Sequence, residues 1–102
     1  MKYVAVVRER GSAWDSSLPM REQKQWRDHA EFMDSLAAEG FVILGGPWGG
    51  GERRFLLVFE ADNKEVVKAR LEDDPWTKMG LLKITEIEPW EILLKKGAAT
   101  SS

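Results

Sequence analysis

Two stretches of this chain, Tyr3-Val4-Ala5-Val6-Val7 and Phe55-Leu56-Leu57-Val58-Phe59, are apolar at every position. A strand with one face in water alternates apolar and polar residues, so an unbroken run reads as a strand whose two faces are both covered. On the later strand Phe55, Leu57 and Phe59 oppose Leu56 and Val58; on the earlier one Tyr3, Ala5 and Val7 oppose Val4 and Val6. The remaining elements have to supply both covers. Reading along the chain, a strand at residues 2–8 is followed by a connection to about residue 21 and a helix from about 22 to 39, closed by Gly40. Strands at 41–44 and 53–60 come next. A second helix opens at Asp62, with Glu65 at capping-box spacing, and ends near Leu71. Asp74-Pro75 then opens a single helical turn that Gly80 closes, and a last strand runs from about 82 to 94. Its alternation slips across Glu86-Ile87-Glu88-Pro89, as at a bulge or a sheet edge.

This βαββαβ order is the ferredoxin-like one, an α+β fold with an antiparallel sheet and both helices on one face. Two helices leave the other face open, and an open apolar sheet face is an association surface. The expectation is a homodimer in which two sheets face each other across a two-fold axis. At 102 residues the chain is one domain, expected over residues 1–95, with the small, polar stretch 96–102 as a flexible tail.

A net charge of -2 lacks the basic excess that nucleic acid or an anionic membrane surface would demand, so neither is an expected partner. The apolar run at the N-terminus is too short for a signal-peptide core and is stopped by Arg8-Glu9-Arg10, which makes the cytoplasm the default location. There is no cysteine and only one histidine, with no clustered ligand spacing, so neither a metal site nor a cofactor is expected.

That single histidine is the best lead to chemistry. At about 100° per residue, Trp26, Ala30, Met33, Leu36 and Ala37 form one helical stripe, and His29 lies inside it, where packing alone would place Leu or Ala. It is either a core histidine satisfied by one hydrogen bond or a proton-transfer group facing a cavity. Asp74 reads first as an N-cap worth about 1 kcal/mol. The five glycines between Gly45 and Gly51 suggest a phosphate cradle, but a strand follows where such a loop needs a helix, so they read as a hairpin. At Gly46-Pro47 a missing Cβ would let a ligand approach the backbone, with Trp48 as a wall. Trp14, Trp48 and Trp76 fall in loops or at element ends, where an aromatic either seals an apolar edge or stacks on a planar ligand.

Four separated segments in order, His29-Ala30-Glu31-Phe32, Gly40 through Pro47, Asp74-Pro75-Trp76 and Glu88-Pro89-Trp90-Glu91, resemble the YCII-related proteins from Lys2 to about Leu94. The resemblance implies a ferredoxin-like protomer, a dimeric α+β barrel, and a cleft where a helix histidine meets an aspartate preceding a proline. By position these are His29 and Asp74. It further implies an acid–base role for the pair, and elimination or dehalogenation chemistry in some members. The leading expectation is a cofactor-independent lyase or isomerase, with Gly46, Pro47, Trp48, Trp76 and Trp14 around a small-molecule ligand. The alternative is a non-catalytic ligand-binding or accessory dimer. An RNA-reading module is disfavoured by charge and by the lack of glycines in RRFLLVFE.

Overall fold

The first strand, β1 (Tyr3–Arg10), lies inside the sheet and is paired on both edges. The computed structural model describes residues 2–99. β1 runs antiparallel to β3 (Arg54–Glu60) on one side and to β4 (Leu82–Trp90) on the other, and β2 (Val42–Pro47) pairs with β3. The resulting order, β2-β3-β1-β4, is the ferredoxin-like sheet expected from the sequence. Helices α1 (Trp26–Ala38) and α2 (Lys64–Leu71) pack on one face, where Leu36, Val67 and Leu71 meet Val4, Val6, Leu57 and Phe59 in a fully buried cluster. Burial of each such side chain contributes about 1.5–3 kcal/mol. A second cluster gathers Trp14, Met20, Phe55, Trp76, Leu81 and Leu82 beside the short helix α3 (Pro75–Lys78). Trp14 and Met20 of the β1–α1 connection are thus core, which explains why a loop carries them.

Several boundaries differ from the sequence expectation, each for a local reason. The first helix starts at Trp26 rather than near Glu22, because Gln25 takes a left-handed conformation and residues Met20–Glu22 form a separate 3-10 turn. Gln23, between them, spends its amide on the connection: its Oε1 accepts from Asp15 N, and its Nε2 donates to Asp15 O and Leu18 O. The cap of α2 is Asn63 rather than Asp62, its side chain accepting from Val66 N at 2.9 Å. In β4 the extra residue is Thr85, since Val7 faces Glu86 while Arg8 faces Ile84. That bulge lets Ile84 and Ile87, three apart, both pack against the helix-side core. Pro89 sits on an edge strand, where its missing N–H costs the sheet nothing.

β4 ends at Trp90 instead of continuing to 94, and β5 (Leu94–Lys95) folds back on β6 (Ala98–Ala99) through Gly97. The expected tail begins within this hairpin, and residues 100–102 lie outside the described ones. Residues Ile92, Leu94 and Lys95 lie along a groove on the helix-free face with Tyr3, Leu56 and Val58. Even so, Ile43, Leu44, Trp90, Leu93 and Leu94 keep large apolar surfaces in water. No helix among the described residues is long and apolar enough to cross a membrane.

The end of β1 is tied to the turn before β4 by Gly11 N to Leu81 O at 2.8 Å and Ala13 N to Gly80 O at 3.1 Å. A Cβ at Gly11 would run into the Gly80 carbonyl, which is backbone and has no room to yield, whereas a Cβ at Gly46 meets nothing within 4 Å. Gly11→Ala is therefore expected to cost about 1–3 kcal/mol, and Gly46→Ala to be close to neutral. Denaturant melts of the two variants check this; equal stabilities would contradict the close approach.

Candidate active site

α1 carries Trp26, His29 and Met33 on the face that turns toward α3 and the end of β1. α3 exists because Asp74 caps it and Pro75, at its first position, has no N–H to lose. The same carboxylate meets the histidine. His29 Nδ1 lies 2.9 Å from both oxygens of Asp74, whose side chain is 0% exposed. Oδ1 also accepts from Trp76 N at 2.9 Å, and Oδ2 accepts from Arg8 Nη1 at 3.0 Å. Capping and histidine pairing are thus met by one group at once.

With Nδ1 against an ionised carboxylate, the neutral imidazole carries its proton on Nδ1 and its lone pair on Nε2. Nε2 has no protein partner among the described residues. The ring is held flat on the indole of Trp76, centroids 3.9 Å apart and planes within 6°. Trp76 is itself immobilised: fully buried, it donates Nε1–H to Lys24 O at 2.7 Å and is edged by Trp14 at 5.5 Å. The third tryptophan of the cluster, Trp26, lies 5.8 Å from the imidazole and 5.6 Å from Trp76.

Arg8 is the residue that sequence reasoning missed. Its guanidinium is 1% exposed and also donates from Nη2 to Thr77 Oγ1 at 2.7 Å. A signal was present: β1 alternation puts Arg8 on the same face as Val4 and Val6, so a cation was bound for the core side. Burial pulls the Arg8 pKa down, and the Asp74 charge and hydrogen bond push it back toward the charged form. Burial alone would raise the pKa of Asp74. The hydrogen bond from His29, the charge of Arg8, that of His29 once it is protonated at acid pH, and the Trp76 N–H outweigh it, holding the carboxyl below the usual range.

Beside the pair is a cavity of about 200 Å³. Among the described residues, Arg8 and His29 are its only ionisable lining groups; Met20, Met33, Phe55 and Leu57 make most of the remaining wall apolar. A well-defined cavity of about 150 Å³ accepts benzene, so this one suits a single substituted ring. Gly46, Pro47 and Trp76 line it. The decisive missing side chain is nevertheless that of Gly45. Gly45 pairs with Leu57 and shares its face, where a Cβ would strike the Leu57 side chain, whereas Gly46 pairs with Leu56 on the opposite face. Trp48 and Trp14 do not line the cavity. Trp48 N continues the ladder to Arg54 O, so its ring points away from the face of Pro47 and lies 44% exposed beneath the Arg54 guanidinium. Trp14 is buried behind Trp76 and Phe55 as packing. Among the described residues no group of three or more His, Asp or Glu side chains is placed to hold a metal ion.

Residues 1–91 match the sequence profile of the YCII-related domain. Among solved structures, the chain is similar to the 5-chloro-2-hydroxyhydroquinone dehydrochlorinase of Burkholderia phenoliruptrix AC1100, in complex with 2,5-dihydroxybenzoquinone. Identity is 25%, the TM-score 0.64, and 86% of this chain and 93% of that one are covered. A structural-genomics protein, YJCS, shares the fold at 15% identity and a TM-score of 0.52, over 89% of this chain and 97% of the other. No curated protein matches the sequence.

The charge on Asp74 has a stability signature. An unfolded aspartate takes up its proton at about pH 3.9, and the folded one at lower pH. Asp74 therefore contributes stability above the unfolded value that is lost as pH falls through the folded one. Asp74→Asn leaves the Arg8 cation buried without its counter-ion and is expected to cost about 3–5 kcal/mol near neutrality. The gap from wild type should narrow below about pH 4. Denaturant melts at several pH values measure it, and a gap independent of pH would contradict the assignment of an ionised Asp74.

Proposed function

The chain belongs to the YCII-related family, and on that premise we propose that it is a cofactor-independent lyase or isomerase that uses His29 and Asp74 to move a proton on a small cyclic substrate. The observation that carries this reading is the 2.9 Å contact between His29 Nδ1 and a fully buried carboxylate at the edge of an apolar cavity. With its Nδ1 proton committed to Asp74, the imidazole offers the Nε2 lone pair to the ligand. Nε2 takes a proton from the substrate, and the electron pair left behind either expels a leaving group as its anion or shifts a double bond. The imidazolium then returns the proton, to water in an elimination or to a second substrate atom in an isomerisation. Asp74 stabilises that imidazolium through Nδ1–H, and the stacked face of Trp76 favours the cation further.

Elimination is the favoured branch. The similar dehydrochlorinase acts on a hydroxylated, chlorinated ring, and a ring of that size suits this cavity. Apolar walls support the chemistry by displacing water from the base and from the developing charge.

The working unit is proposed to be a homodimer. Ile43, Leu44, Trp90, Leu93 and Leu94 stay exposed around the helix-free face of the sheet, a concentration of apolar surface that a second copy would cover. Sedimentation at micromolar concentration is expected to give twice the 11.6 kDa chain mass, and Leu44→Glu to shift the protein toward monomer. A wild-type monomer would contradict the assembly.

For the chemistry, the expected behaviour of His29→Gln is retained folding, binding of 2,5-dihydroxybenzoquinone within a few-fold of wild type, and chloride release from 5-chloro-2-hydroxyhydroquinone slowed by about 10²-fold or more. Binding by the wild type with no chloride release would favour the non-catalytic ligand-binding dimer. Equal turnover in wild type and variant would remove His29 from the mechanism.

A further inference from the structure

An aspartate–histidine pair is a poor base if it rests as an ion pair. Buried and alone, a carboxylate beside an imidazole reaches neutrality by protonating the imidazole, and the lone pair that should attack the substrate is already used. Here the carboxylate has a second claimant. Arg8 Nη1 donates to Asp74 Oδ2 at 3.0 Å, on the oxygen that His29 Nδ1 also approaches, and Nη2 is anchored on Thr77 Oγ1 at 2.7 Å. A guanidinium stays charged on burial and its fork reaches both partners at once, whereas an ammonium here would hold its charge through Asp74 alone.

We propose that Arg8 is a positioning residue that holds His29 in its neutral, proton-accepting form by permanently compensating the charge of Asp74. Charge counting states the reason. With Arg8 present, the buried group is neutral when Asp74 is ionised and His29 is uncharged. With Arg8 absent, it is neutral only when His29 is protonated. Among the described residues, no charged side chain other than Arg8 lines the cavity with the imidazole. The 3-10 turn contributes Met20, β2 and β3 contribute Gly45, Pro47, Phe55 and Leu57, β4 contributes Leu82, and α1 itself contributes Trp26 and Met33. Arg21 lies beyond Trp26, over its ring at 5.7 Å. The net positive charge that appears when His29 accepts a proton is matched by the anion the substrate becomes, so transfer pairs the two charges inside the cavity.

The inference rests on the proton-transfer reading of His29, but its test needs no substrate. NMR titration of the ring of His29 is compared in wild type, Arg8→Gln and Arg8→Lys. Arg8→Gln is expected to raise the titration midpoint by about one pH unit or more, while Arg8→Lys, which keeps the charge, stays near wild type. Thermal melts give a second readout. If the imidazolium takes over the neutralisation of Asp74, Arg8→Gln is folded at about pH 6 and loses stability as the pH rises to about 9, more steeply than wild type. The sign follows from a histidine pKa raised above its unfolded value of about 6.5. An unchanged midpoint in Arg8→Gln, a rise of equal size in Arg8→Lys, or an Arg8→Gln protein unfolded across that whole range would each overturn the proposal. Loss of the His29→Gln turnover effect would instead overturn the acid–base reading and leave this result standing.

Discussion

A carboxylate with no access to water has to be satisfied by donors from within the protein, and those of Asp74 come from three separate elements of the fold. Arg8 arrives from the central strand, His29 from the first turn of α1, and the Trp76 N–H from the helix that Asp74 itself caps. Each donor fixes an element against the others. The bulge at Thr85 and the backbone bonds from Gly11 and Ala13 set where β1 ends relative to α3, and so whether Arg8 reaches Oδ2. Breaking such a set by removing one member costs more than any member contributes alone, because a charge is left buried without its partner.

The aromatic cluster does for the imidazole what the ion pair does for the carboxylate. Stacked on Trp76 and flanked by Trp26, the ring of His29 has its plane fixed, while Asp74 fixes its tautomer. Rigid support of this kind gives a proton acceptor a defined direction. The cavity beside the ring is lined by Gly45, whose missing side chain leaves room for Leu57; it is one of five glycines in a stretch whose composition suggested phosphate binding and whose structure is a hairpin.

Much of this was legible in the sequence, and the failures have physical causes. The strand and helix order followed from apolar runs and caps, and His29 stood out because one polar residue interrupts a helical stripe. Asp74 was visible as a cap, but its contact with a side chain 45 residues away depends on how α3 packs on α1, which local pattern does not encode. Arg8 was passed over because it begins the charged triplet Arg8-Glu9-Arg10, which reads as a solvated strand end. Only the two-residue alternation from Val4 and Val6 separates it from its neighbours. Trp48 was misplaced for the same kind of reason: it is one residue past Pro47, and one residue on a strand is the other face. The first helix starts late because Gln25 turns left-handed and Gln23 spends its amide on the preceding loop, a use of glutamine that helix propensity does not reveal.

On the proposed chemistry the sole histidine rests as a neutral base with its proton on Nδ1 and its lone pair on Nε2. Nitrogen-15 NMR of the histidine ring in the wild-type protein at neutral pH tests this without a substrate, because protonated and unprotonated ring nitrogens resonate far apart. Nδ1 is expected to appear protonated and Nε2 as the bare, pyridine-like nitrogen. A ring protonated on Nε2 alone, or on both nitrogens at neutral pH, would contradict it.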